Sequence, residues 1–291
     1  HLSALVFSSQ DSGGAQEMAQ ASARIQALAP DAWWASALRT DQFLLEHKWS
    51  EAEAAAKETL SRAPTSEVDA LVTYGNFLAY VGRTQEAIEY FERARDADPL
   101  SLGTSGTLQL FLDVAGRPDE AQAEFERSKD LAGDHRRWKW AAVLRLWARD
   151  NADLAAVEAQ YRLYLKEFGD RMAPLDPTLA EQLRDKAAAR AAIRQAIEDP
   201  AYQSPGVMTR FFLLADLLGD KDLALSALRR SFLDLDKVNF EGLWWPFKTA
   251  IRADARFKAV VREIGLVDYW RATGKWGDFC HPVGKADFKC R

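Results

Sequence analysis

The stretch Gly82-Arg-Thr-Gln-Glu-Ala-Ile-Glu-Tyr-Phe-Glu-Arg-Ala-Arg-Asp96 returns 34 residues later as Gly116-Arg-Pro-Asp-Glu-Ala-Gln-Ala-Glu-Phe-Glu-Arg-Ser-Lys-Asp130, with eight of fifteen positions identical. A period of that length marks a supersecondary unit repeated in tandem. Such a unit cannot bury its apolar face alone, so copies stack into a solenoid. Gly82 and Gly116 suit the left-handed position that ends a first helix. Ala87 and Ala121 are small enough for a neighbouring helix to approach, Phe91 and Phe125 fill the space between helices, and Pro99 stops the first copy. Upstream, Gly75 is another small contact on a helix whose apolar face is Leu71, Tyr74 and Leu78. A generic helical bundle would not require identity at a fixed period.

The pattern of small, aromatic and proline positions resembles the tetratricopeptide repeat, a helix–turn–helix unit of 34 residues; residues 68–101 meet it almost completely and 102–135 fit well. Weaker copies are expected at 33–66, which ends at Pro64 and carries Ala52, at 137–170, with Trp140, Val143, Trp147 and Ala156, and at 205–237, with Phe211, Leu214, Gly219, Ala224 and Leu228. Pro174 and Pro177 interrupt the series, after which Thr178 to about Glu198 reads as one long Ala-rich helix; residues 15–29 read as a lone helix before Pro30. Ala and Leu together outnumber Val and Ile more than four to one, so helix formers dominate. The expected fold is all-α, a right-handed α-solenoid of about five to six hairpins with an aromatic-rich C-terminal cap. Its divisions are a partial or capping unit at 1–32, repeats at 33–170, a degenerate long helix plus hairpin at 171–237, and the cap at 238–291.

In the cap, Trp244, Trp245, Phe247, Phe257, Tyr269, Trp270, Trp276 and Phe279 fall within 36 residues. The segment is similar to the tails of bacterial tetratricopeptide proteins whose repeats follow a winged helix–turn–helix domain, the ToxR/CadC-like regulators. That resemblance implies a sensory region of a transcriptional regulator. Structurally, such a tail closes the exposed end of the stack; a ligand-binding aromatic box is the alternative. Cys280 and Cys290 flank nine residues that include Pro282 and Gly284, an arrangement that invites a disulfide. A bridge there stabilises the tail by roughly 2–3 kcal/mol and implies an oxidising compartment, hence the periplasm. Two reduced thiols would place the chain in the cytoplasm instead. His281 adds a third candidate zinc ligand, but a structural site needs four, so no metal is expected.

The net charge of −5 and pI near 5.6 argue against nucleic-acid binding by this segment. No stretch reaches the roughly 18 apolar residues of a membrane span, and the opening from His1 to Phe7 is too short for a span or a signal core. The chain reads as a piece of a longer protein, with any membrane anchor lying outside it. No phosphate-cradling loop, zinc-protease pair or nucleophile elbow occurs, and His1, His47, His135 and His281 are scattered, so neither catalysis nor a cofactor is expected. Glu51, Glu53, Asp119 and Glu120 sit at the starts of second helices, where the helix dipole favours them.

The concave face is predicted to carry Trp34, Asp41, Asp69, Thr73, Asn76, Tyr80, Thr107, Leu110, Trp138, Arg145, Arg149 and Arg210. Of these, Trp34, Asp69, Thr73, Asn76, Tyr80, Thr107, Trp138, Arg145 and Arg149 are the candidate binding residues. Beside Gly103 and Gly106 they could line a slot for a protein or peptide partner, with Arg145 and Arg149 holding an acidic group. Packing of Trp34 and Trp138 between units is the structural alternative. A chaperone-tail clamp needs Lys and Asn along the groove, and only Asn76 matches. The expected function is a sensory or protein-interaction domain that recognises a protein, peptide or small effector. A free-standing periplasmic scaffold for an envelope or export complex is the second reading.

Overall fold

The hairpins are set by one recurring turn. In this computed structural model, residues 20, 22–132, 159, 185–203, 205–234, 240–245 and 250–291 are described. Helices α1 (Trp33–Leu45) and α2 (Trp49–Arg62) form the first hairpin, α3 (Val68–Tyr80) and α4 (Thr84–Ala97) the second, and α5 (Leu102–Val114) and α6 (Pro118–Ala132) the third. Further along come α7 (Lys186–Glu198) and a hairpin of α8 (Pro205–Leu217) and α9 (Lys221–Arg229). The amide of Arg83 donates to the Leu78 carbonyl at 2.9 Å, and the same bond joins Lys48 to Phe43, Arg117 to Leu112 and Asp220 to Ala215. Each closure needs a left-handed residue just before the donor. Gly82, Gly116 and Gly219 supply it at φ 83°, 75° and 74°, while the first hairpin uses His47 at φ 55°.

The identities within the repeated stretch now have physical causes. Ala52, Ala87, Ala121 and Ala224 are fully buried where second helices meet their neighbours. Gly75 lies under the Phe91 ring, and a Cβ there would come within 2.6 Å of it. Phe91 in turn stacks on Phe111 of the next hairpin, ring centroids 5.4 Å apart. The Gly-Arg-X-X-Glu signature is an ion pair repeated in place: Arg83 Nε donates to Glu86 at 2.7 Å and Arg117 Nε to Glu120 at 2.6 Å.

The described hairpins run over residues 33–62, 68–97, 102–132 and 205–229, and residues 22–28 are helical. The unit expected at 137–170 lies outside the described residues apart from residue 159. One expectation is corrected: the Ala-rich helix does not run unbroken from Thr178. Asp185 is extended, at φ −104° and ψ 93°, and its carboxylate accepts the amides of Ala187 and Ala188, so it caps a helix that begins at Lys186.

After α9 a π-helical turn (Arg230–Asp234) leads towards 3-10 turns at Phe240–Trp244 and Ile251–Ala253, then α10 (Ala255–Glu263) and α11 (Leu266–Thr273). The chain ends in an antiparallel hairpin of β1 (Cys280–Val283) and β2 (Asp287–Cys290), in which Cys280 pairs with Cys290 across the ladder and is disulfide-bonded to it. This hairpin is an addition to the helical solenoid that the repeat pattern does not foreshadow. The cap also reaches beyond the end of the stack. Helix α10 packs on α9, α11 packs on α2, and the 240–244 turn packs on α3, so the segment spans from the last hairpin back to the first two. Trp244, Trp270, Phe257 and Phe288 are buried in the same continuous core as α3 and α4.

Candidate functional site

The first helix of each hairpin carries the predicted binding stripe. On α3 this stripe runs Asp69, Val72, Thr73, Asn76, Tyr80; on α5 it runs Gly103, Gly106, Thr107, Leu110. Asp69, Val72, Asn76, Gly103, Gly106, Thr107 and Leu110 are half-buried, and so is Trp34 on α1. Among the described residues, a Cβ at Gly106 would meet nothing within 4 Å. Two of the expected binding residues are buried. Thr73 is 2% exposed and its hydroxyl turns back to the Asp69 carbonyl at 2.7 Å, as helical threonines do. Tyr80 is also 2% exposed, at the end of α3 where the C-terminal segment covers the turn. Asp41 is buried as well. Thr107 binds the Gly103 carbonyl through its hydroxyl but keeps a partly open face. Trp138, Arg145 and Arg149 lie outside the described residues, and Arg210 lies on α8.

The upper edge of this stripe is made by residues that no spacing in the sequence places together. Trp244 Nε1 donates to the Tyr80 carbonyl and Trp270 Nε1 to the Val81 carbonyl, both at 2.9 Å, and the Asp278 amide donates to the Gly82 carbonyl at 2.8 Å. Three successive carbonyls of one turn are thus satisfied by the C-terminal segment. The Asp278 carboxylate accepts the Gln85 amide at 2.9 Å, and Trp49 Nε1 donates to the Ile264 carbonyl at 2.6 Å. Arg252 braces the segment from within: it lies over the Phe279 ring and donates to the carbonyls of Arg291, Trp244 and Trp245. Burial, followed by the Arg291 charge, lowers its pKa to about 10.

Glu53 is the electrostatic centre of the junction. Glu51, Asp119 and Glu120 occupy first turns as the dipole argument requires, but Glu53 is 6% exposed and accepts Lys57 at 2.7 Å, Lys275 at 3.0 Å and the Tyr269 hydroxyl at 3.0 Å. Burial by itself would raise the Glu53 pKa. The bonds from Lys57, Lys275 and Tyr269 outweigh it and bring the carboxyl from an ordinary 4.5 to about 2. Tyr269 is pushed up by burial and by the Glu53 charge beside it. Among the described residues no group of three or more His, Cys, Asp or Glu is arranged to hold a metal ion, and Cys280 and Cys290 are committed to each other.

Residues 68–99, which are α3 and α4, match the tetratricopeptide-repeat family model. No curated protein sequence matches the chain. Among solved structures similar in fold is a tetratricopeptide repeat protein from Parabacteroides merdae, at TM-score 0.52 and 13% identity, over 86% of this chain and 91% of that one. At that identity the likeness concerns the fold. The second hairpin is therefore similar to a tetratricopeptide repeat, and the helical hairpins are built as an all-α solenoid.

Proposed function

We propose that this chain is a non-catalytic recognition domain that receives a peptide segment of a protein partner in the slot between α3 and α5. The observation that carries this reading is that Val72 and Asn76 on α3 and Gly103, Gly106 and Leu110 on α5 are all partly exposed on the predicted binding stripe. Two glycines, an amide and two apolar side chains are partly exposed there, and among the described residues a Cβ at Gly106 would meet nothing within 4 Å. An extended peptide needs that combination: room for its main chain, one polar group to orient it and apolar contact for its side chains. Asp69, Thr107 and Trp34 are proposed to border the slot, and Arg145 and Arg149 remain proposed partners for an acidic group. By its resemblance to ToxR/CadC-like regulators, the domain serves as the sensory part of a bacterial regulator, with an output domain elsewhere in the parent protein. The Cys280–Cys290 disulfide supports a periplasmic setting, since such bonds persist where thiols are not kept reduced.

A random-peptide display selection on the whole chain, repeated with Gly106→Trp and Asn76→Ala, tests the slot. Selected peptides should bind the parent chain and lose at least tenfold in affinity with either variant. Gly106→Trp should keep or raise the melting temperature, because a mid-helix glycine costs about 0.5–1 kcal/mol relative to alanine. Peptides that bind both variants undiminished would place recognition elsewhere.

A further inference from the structure

Three cations converge on one oxygen of Glu53. Lys57 Nζ lies 2.7 Å from Oε1, Lys275 Nζ 3.0 Å and Arg83 Nη1 4.0 Å, while the Tyr269 hydroxyl donates to Oε2 at 3.0 Å. Glu53, Arg83 and Tyr269 are buried, whereas the side chains of Lys57 and Lys275 are half-exposed, so the lysines form the mouth of the cluster and the others its floor. Tyr74 of α3 joins the floor. It is buried, its ring stands edge-on to Tyr90 with centroids 4.8 Å apart, and the charges of Lys57, Arg83 and Glu53 reach its hydroxyl.

One carboxylate does not use up these donors. An ammonium carries three N–H groups, and Glu53 takes one from each lysine. Drawn to the same oxygen, Lys57 and Lys275 also repel one another. Arg83 gives Nε and Nη2 to Glu86, and its Nη1 is buried with no hydrogen-bond partner among the described residues. Three cations therefore stand against Glu53 and Glu86, with the remaining lysine donors on the exposed side. A second anion bridging Lys57 and Lys275 there would satisfy those donors and offset the repulsion between them.

We propose that Lys57, Lys275 and the Tyr74 hydroxyl form a binding site for an oxyanion, the phosphate or carboxylate group of a small effector, at the junction of α2, α3 and the C-terminal segment. Lysine suits either group, because its ammonium is a point charge with rotatable donors rather than a fixed planar fork. Burial keeps the Tyr74 hydroxyl protonated, and hence a donor. The site is separate from the peptide slot: Tyr74 is two residues from both Val72 and Asn76, which puts it on the opposite face of α3. It does not rest on the peptide reading.

Calorimetric titration of the whole chain with inorganic phosphate and with citrate, each against sodium chloride at equal ionic strength, tests the site. At least one of the two oxyanions should bind saturably, and the tighter one identifies the group as phosphate or carboxylate. Lys275→Gln should weaken that binding roughly tenfold and Tyr74→Phe about threefold, as expected for losing a charged and a neutral donor. Lys289→Gln, which removes an exposed lysine of the terminal hairpin, should leave it unchanged. Heats no larger than those of chloride for both anions, undiminished binding in Lys275→Gln, or an equal loss in Lys289→Gln would overturn the proposal. If Lys275→Gln does not fold, Tyr74→Phe decides, since it keeps the ring and its packing: unaltered affinity overturns the proposal. A failed peptide selection would leave this result untouched, so the two readings fail separately.

Discussion

Glu53 shows how much a single position depends on what arrives from elsewhere in the chain. Its place near the start of α2 suggests only a favourable helix dipole, yet Lys275 and Tyr269, more than two hundred residues later, make it the buried hub of the junction. Because its folded pKa of about 2 lies below the ordinary 4.5, the folded chain binds fewer protons than the unfolded one between those values. The stabilisation is complete above about pH 4.5 and is lost as pH falls towards 2. At about 1.4 kcal/mol per unit the contribution is at most about 3 kcal/mol. Glu53→Gln should therefore be less stable than the parent at pH 7 and converge on it near pH 2, in denaturant titrations at a series of pH values. A constant difference across that range would mean that the Glu53 charge does not hold the junction together. Local residues were legible in the sequence for a simple reason: Gly82, Ala87 and Phe91 are constrained by the helices on either side of them, and the period exposes that constraint. The burial of Tyr80 and Thr73 was not legible because helical spacing places a residue on a face but does not reveal what covers the face.

At the scale of elements, the turn geometry explains why the first hairpin is hard to see in the sequence. His47 takes the left-handed position that Gly82, Gly116 and Gly219 take elsewhere, so the backbone repeats where the residue does not. The terminal β-hairpin escaped for a different reason. Its strands have four residues each, too short for alternation to register, and Pro282 and Gly284 look only like breakers. Isolated two-stranded hairpins are marginal in water, and the disulfide and the buried Phe288 anchor this one. Replacing both cysteines by serine should lower the stability of the chain by about 2–3 kcal/mol, seen as a lower midpoint in denaturant. An unchanged midpoint would mean that the packing of Phe288 and Trp270 suffices without the bridge. The cysteine spacing alone suggested the bond; the ladder register that carries it required the structure.

Across the whole molecule, the repeats were legible and the closure was not. Period, small residues and glycines belong to neighbouring units and leave a local signature, which is why the hairpins at 33–66, 68–101, 102–135 and 205–237 could be placed. The return of the aromatic segment to α2, α3 and α4 is a contact between distant parts of the chain, and aromatic density shows that a core exists there without showing against which helices it forms. Its polar fittings, Trp244 to Tyr80, Trp270 to Val81 and Asp278 to Gln85, leave no spacing in the sequence to find. The most direct test of this closure is lysine cross-linking with a short bifunctional reagent on the intact chain, followed by peptide mass spectrometry. Lys57 and Lys275 are both half-exposed, and their Nζ atoms lie within 3.0 Å of the same Glu53 oxygen. A closed solenoid should give an abundant Lys57–Lys275 cross-link, whereas Lys275 joined only to lysines of residues 258–289 would contradict it.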